Sequence, residues 1–397
     1  MSGIGRNVKY KLFTSTPLGK IVKLVTLLSI IATSVLQFYR GLSLPHLPKY
    51  VGHGYMLGSQ VSGNNSAKER SEKRSGFGAC LMFKDDLELL PEWIAYHYVS
   101  LPLRHLVIGL DRGNRQDPFP VLNRYNGTEL RFTVFQPERN SSVDPRLTVT
   151  KEESHHGLIL RQKQFVSKCA LYLQGLGYGW TTLIDPDEFV APNHIGDDEE
   201  ELEQHLGQPS SSGVEMRRTL NQGGFRKVID RLQEWEKSGV LPKAACFTMP
   251  RLLIGALENS TCDKMNMEGK LHLSTIRFVQ YAPKGDFSHS KFGKVMIDLS
   301  RYPSAALKPG AIRSIHRPSK DLCSSAVPHF LSTPLILQHY IGSWERYQSR
   351  ADGRRNRAEW EKRAFMNAGA NCRMREWLSI YSQTTADWQK RLEAIAF

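Results

Sequence analysis

The sequence predicts an α/β fold built on a doubly wound, mainly parallel sheet, and three observations predict it. Between residues 77 and 192, apolar strand-like runs alternate with helix-like segments, the pattern of a parallel sheet with crossover helices. The 397 residues are 40% hydrophobic and 10% aromatic, enough to bury one large core or two smaller ones. Finally, the run Trp180-Thr181-Thr182-Leu183-Ile184 ends in the acidic cluster Asp185-Pro186-Asp187-Glu188, and sheets of this class bind ligands at that edge.

The chain begins with a basic tail, residues 1–20. An apolar stretch at 21–39 follows, with no ionisable group from Leu24 to Tyr39 except the Tyr39 phenol, just long enough to span a bilayer if Lys23 snorkels. Arg6, Lys9, Lys11, Lys20 and Lys23 precede it and only Arg40 and Lys49 follow closely, which places the N-terminus in the cytosol and the body in the lumen. A cleaved signal peptide is the competing reading; the long basic lead and the lack of an A-x-A-like site after Tyr39 weigh against it. Residues 40–75, rich in Gly, Ser, Pro and charge, read as a flexible stem, and the folded domain is expected over 76–397.

The formal charge of +14 resides mostly in that lead. Residues 1–75 hold eleven Lys/Arg against two Asp/Glu, and the rest of the chain 42 against 37. The body shows no run of cations interleaved with aromatics, so nucleic acid is not an expected partner. Sequons at Asn64, Asn126, Asn140 and Asn259 all follow the apolar stretch and permit a lumenal body. Cys80, Cys169, Cys246, Cys262, Cys323 and Cys372 form an even set without a C-x-x-C spacing, compatible with disulfides. Cys246 with Cys262, which flank one segment, is one pairing; unpaired buried thiols are the other reading.

Within the domain the expected order is a strand at 79–83, a helix from Pro91, a strand at 105–110, a helix around 120–125, a strand at 130–135, a helix over 157–176 and the strand ending at Ile184. Pro91 suits a first helical position, Glu92 complements the helix dipole, and Trp93, Tyr96 and His97 recur at helical spacing. The acidic run at 197–203 reads as a solvated face and residues 208–213 as a surface loop. Three carboxylates within four residues at a strand end suit a hard cation, because burying them uncompensated costs several kcal/mol, on the order of 3–5. Asp and Pro also suit an ordinary solvated turn. Asp85 and Asp111 end the first two strands at the same edge, where a carboxylate can accept from a ribose hydroxyl or a base N–H.

Several blocks occur in order: Cys80-Leu81-Met82-Phe83-Lys84-Asp85-Asp86, Leu90-Pro91-Glu92-Trp93-Ile94-Ala95-Tyr96-His97, His105 to Asp111 with Asp117, Arg161 and Gln164, Tyr178-Gly179-Trp180, and Ile184-Asp185-Pro186-Asp187-Glu188-Phe189-Val190-Ala191-Pro192. Later come Lys294-Val295-Met296-Ile297-Asp298, Ser314-Ile315-His316 and His339-Tyr340-Ile341-Gly342-Ser343-Trp344-Glu345-Arg346-Tyr347. The series resembles the GT-A-fold glycosyltransferases of family 92 and the related family 2-like group, over roughly residues 79–350. The resemblance implies a single-pass type II membrane enzyme of the Golgi or endoplasmic reticulum. It would move a sugar from a nucleoside diphosphate sugar, UDP-galactose favoured, to a glycan or glycoprotein acceptor with Mn²⁺ or Mg²⁺. It implies that Asp85 and Asp111 contact the nucleoside and that Asp187 ligates the metal. Asp185 would reach the ribose, a metal-bound water or the metal itself, with Glu188 behind them. His339, at the end of an apolar run, is either a further metal ligand or a core histidine, and His316 is a poorer candidate for the same task. Lys294, Arg350 and Arg354 are candidates for neutralising the diphosphate. Asp263, Asp286 and Glu345 all suit a catalytic base, and none is singled out. The chain departs from the family at Lys84-Asp85-Asp86 and at Arg112-Gly113-Asn114-Arg115. An inactive sugar-binding protein of the same fold is the alternative.

Overall fold

The structure, a computed structural model, describes residues 77–101, 103–136, 155–193, 237, 245–257, 273–281, 293–319, 321–323, 333, 335–349, 356–366, 369–370, 372–375 and 377–378. All fall within the compact unit Tyr55–Phe397; the other unit, Met1–Gly54, holds none of them. Among the described residues no helix is long and apolar enough to cross a membrane. The expected anchor and stem, with the segments at 197–203 and 208–213, lie outside the described residues.

The first half follows the expected order: β1 (Phe77–Phe83), α1 (Leu90–Ser100), β2 (Leu103–Leu110), α2 (Phe119–Leu122), β3 (Arg131–Phe135), α3 (His155–Gly175) and β4 (Trp180–Leu183). Then come β5 (Glu188–Pro192), β6 (Cys246–Met249), β7 (Arg251–Ile254), α4 (Ser274–Arg277), β8 (Gln280–Tyr281) and β9 (Lys294–Asp298). The series ends with α5 (Ser304–Leu307), β10 (Leu335–Tyr340), α6 (Trp344–Ser349), α7 (Arg357–Ala364) and β11 (Gly369–Ala370).

The result is an α/β fold with two mixed sheets. The first runs β3-β2-β1-β4-β9-β6, parallel from β3 to β4 and antiparallel where β9 enters. The second runs β11-β8-β7-β10-β5 and is mostly antiparallel. The expectation of a mainly parallel sheet therefore holds for the first four strands and is corrected beyond them. Alternation along β1 explains why both faces of the first sheet are covered. Ala79, Leu81 and Phe83 join Trp93, Ile94 and Tyr96 of α1 in one core. Cys80 joins Val166, Cys169, Ala170 and Leu173 of α3 in another. Gly78 lets the two elements approach closely, since a Cβ would stand 2.8 Å from Leu173 Cδ1 and the leucine would have to shift.

Two disulfides cross-link this frame, Cys80–Cys169 between β1 and α3 and Cys246–Cys323. The latter corrects the pairing of Cys246 with Cys262; the true partner comes from 77 residues along the chain and has no local signature. Each link closes a loop long enough to withdraw about 4–5 kcal/mol of entropy from the unfolded chain. Cys372 is also disulfide-bonded.

Pro91 lies in the first turn of α1, as expected, and the helix stops at Leu101, whose extended backbone is what a residue before proline adopts. Glu92 does something the sequence did not suggest. It is buried and accepts the N–H groups of Ser274 and Thr275 at 2.8 Å each and the Thr275 hydroxyl at 2.7 Å, fastening α1 to α4. Burial holds its carboxyl above the usual range, against the pull of those donors.

His97 is wholly buried; its Nδ1 lies 2.8 Å from the Trp93 carbonyl and its Nε2 accepts the Val190 N–H at 3.3 Å. Burial pushes its pKa down to about 3, and burial with the field of Arg131 pushes that of His105 down to about 4. An unfolded histidine titrates near ~6.5, so as pH falls below that value the unfolded chain takes up protons the folded chain refuses, and stability falls by about 1.4 kcal/mol per unit per histidine. Glu92, raised on folding, gives the opposite slope above its own unfolded value. His316 is lowered by burial too, and with three histidines against one carboxyl the unfolding free energy in urea should drop by about 1–4 kcal/mol between pH 7 and pH 5. Equal stability at the two pH values would show that the imidazoles are not neutral in the fold.

Candidate active site

The acidic cluster lies at the C-terminal end of β4, on the edge where β1 and β2 also end. Asp185-Pro186-Asp187-Glu188 closes as a β-turn, the Glu188 N–H donating to the Asp185 carbonyl at 3.0 Å. Asp at the first position and Pro at the second are the residues such a turn favours. The Glu188 carboxylate reaches back to accept the Asp185 N–H at 2.9 Å. Because Glu188 already belongs to β5, the turn carries the chain from the first sheet into the second.

Two cations, one buried and one half-buried, answer the carboxylates. Lys294, first residue of β9 and 1% exposed, places Nζ 2.9 Å from Asp185 Oδ2 and 3.1 Å from Glu188 Oε2. Arg251, first residue of β7, places Nε 3.1 Å from Glu188 Oε1. Burial pulls the Lys294 ammonium down, but Asp185 and Glu188 together outweigh it and leave its pKa raised. Burial likewise raises Asp185, and Lys294 more than reverses this, holding the carboxyl below its usual range. Lys294, expected to face a diphosphate, is here paired with Asp185 and Glu188 inside the fold. Arg350 and Arg354 lie outside the described residues.

His339 stands opposite Glu188 in the β10–β5 ladder, with Nε2 3.5 Å from Asp187 Oδ2, and the Tyr340 N–H donates to the Asp187 carbonyl at 2.9 Å. Arg251 lies 2.7 Å from His339 Nδ1, and a guanidinium can only donate. Nδ1 therefore accepts, and the ring proton sits on Nε2, facing Asp187. In this arrangement His339 steadies Asp187. His316 has the opposite polarity, with Nδ1 3.0 Å from the Gly293 carbonyl; burial, then the field of Lys294, lowers its pKa.

The first two loops are tied to each other. Asp85 has left-handed backbone (φ 53°), its N–H donates to Asn114 Oδ1 at 3.0 Å, and its carboxylate accepts the Arg115 N–H at 2.8 Å and pairs with the guanidinium at 3.0 Å. Asp111 accepts a two-pronged contact from Arg161 on α3, at 2.6 and 3.0 Å, with 1% of its side chain exposed. Asp111, expected to contact a nucleoside, is thus paired with Arg161, whose side chain is the more exposed of the two. Glu345 opens α6, with its carboxyl held below the usual range by hydrogen bonds at the helix start, its own backbone first and Ser343 second. Asp263 and Asp286 are outside the described residues.

Sequence reasoning passed over Arg251. Its signal was an isolated cation after Pro250, heading the apolar Leu252-Leu253-Ile254. Three carboxylates against Lys294 and Arg251 leave one formal negative charge at the turn. Among the described residues no three His, Cys, Asp or Glu side chains converge to hold a metal ion by themselves. A hard cation that keeps phosphate oxygens needs only one or two carboxylates, and Asp187 with Asp185 supplies that set. The chain matches no known family model and no curated protein.

Proposed function

We propose that the chain is a metal-dependent glycosyltransferase of GT-A type, moving a sugar from a nucleoside diphosphate sugar, UDP-galactose favoured, to a glycan acceptor. The observation that carries this reading is the acidic turn at the C-terminal edge of the parallel strands, left one charge negative by the two cations beside it. Asp187 would hold Mn²⁺ or Mg²⁺ together with the phosphate oxygens, Asp185 sharing in the site while Lys294 keeps it oriented. When bound, the metal supplies positive charge for the departing diphosphate. The loop at Asp85, pinned to Arg115, would meet the nucleoside, with Arg161 beside it. The disulfides fit an oxidising compartment and thus a type II protein of the Golgi or endoplasmic reticulum with a lumenal body.

One observation favours a second reading. Lys294 already neutralises Asp185 and Glu188 as a metal would, and a sugar-binding protein without turnover would need nothing more. Purified full-length chain should release UDP from UDP-sugars with Mn²⁺, lose this activity in EDTA and regain it when Mn²⁺ is restored. Binding of UDP-sugar without release would favour the second reading, full activity in EDTA would refute the metal role, and no binding would refute both readings.

A further inference from the structure

We infer that Asn126 carries an N-linked glycan, on the side of the sheet away from the candidate active site. This rests on the lumenal placement proposed above. Asn126-Gly127-Thr128 is the sequon the described residues contain; Asn64, Asn140 and Asn259 lie outside them.

Its geometry suits an attached oligosaccharide. A short 3-10 turn, Asn123–Tyr125, ends at Asn126, and Gly127 follows in left-handed backbone (φ 85°). That turn pushes the sequon outward: Asn126 and Gly127 are exposed, and among the described residues none beyond its two chain neighbours comes within 4 Å of where a Cβ on Gly127 would stand. The loop is closed without the Asn126 carboxamide. Thr128 does that work, its hydroxyl donating to the Tyr125 carbonyl at 2.8 Å and accepting the Leu130 N–H at 3.2 Å. Among the described residues, a substituent on Nδ2 therefore displaces no hydrogen bond of the loop. Both ends of the attachment site, the amide and the space in front of it, are clear.

The transfer itself needs a polyprenyl diphosphate-linked oligosaccharide. Asn126 Nδ2 bonds to the sugar C1, the C1–O bond to the diphosphate breaks with its electron pair leaving on the diphosphate, and the amide gives up one proton.

Topology keeps the glycan out of the way of catalysis. Asn126 precedes β3, which runs parallel to β2, β1 and β4, so it lies beyond the N-terminal ends of these strands. The acidic turn lies beyond their C-terminal ends. β3 is also an edge strand with partly exposed side chains, and a bulky polar group at its head obstructs pairing with a foreign strand.

The experiment is peptide mapping of the full chain secreted or retained by cells with an intact secretory pathway, deglycosylated enzymatically in heavy-oxygen water. Asn126 should be recovered as heavy-oxygen Asp. Asn126→Gln should run one glycan lighter on a gel with UDP-sugar binding unchanged, and Thr128→Ser should keep the modification. An unmodified Asn126 beside a glycan on Asn64, Asn140 or Asn259 overturns this inference and leaves the lumenal placement standing. All four unmodified overturns both.

Discussion

Replacing Lys294 by Met should destabilise the folded chain by about 3 kcal/mol, because it strands carboxylates that the fold has withdrawn from water. The estimate is kept at the low end of that range for two reasons. Glu188 retains Arg251, and the Asp185 side chain is 37% exposed and can rehydrate. The deficit should be constant across neutral pH. Asp185 is lowered in the fold, so its share is complete above its unfolded pKa and is lost only as pH falls through the lowered value. Lys294 is raised, so its share is complete below its unfolded pKa and is lost only as pH rises through the raised value. Urea unfolding of the two proteins between pH 6 and pH 9 measures the difference. If the turn takes a cation, Mn²⁺ with UDP should restore part of the loss by binding only the folded form. A variant as stable as wild type would mean that Lys294 is not the internal counterion.

Replacing Asp187 by Asn should reduce turnover by at least about 100-fold, since even partners standing behind a metal ligand cost 10–100-fold when lost. Asn keeps the volume and removes the charge, and the Tyr340 N–H contact is to the backbone carbonyl, so the fold should survive. Mn²⁺ binding in the presence of UDP, followed by electron paramagnetic resonance, should weaken in parallel. His339→Ala should weaken it less, because the imidazole faces Asp187 with a proton. An equal loss in the two variants would show that the ring turns and ligates. Unchanged Mn²⁺ binding in Asp187→Asn would remove the turn from the metal site.

Local signals were the legible ones. Pro91 opening α1, the apolar alternation of β1 to β4, and Asp-Pro at the head of a turn each act within a few residues, so the sequence carries them openly. The partnerships of the site do not have that property. Lys294 meets Asp185 across 109 residues and Arg251 meets His339 across 88, and nothing near a cation reveals which carboxylate it will neutralise. Lys294 read as facing phosphate and Asp111 as facing a nucleoside, and the internal partner of each was not visible in the sequence. The mixed sheets escaped for a similar reason. β9 enters antiparallel between β4 and β6, and a five-residue apolar strand has the same pattern in either direction.

The chain crosses from the first sheet to the second at the acidic turn, at Pro250 between β6 and β7, and again between β9 and β10, and the first two crossings are pinned together by Glu188 and Arg251. The partner of Asp185 stands in the first sheet and the neighbour of Asp187 in the second. Any molecule gripping both carboxylates thus spans a double hinge and acts as its bolt. Occupancy would be felt as stiffness at Pro250, carried there through Glu188 and Arg251.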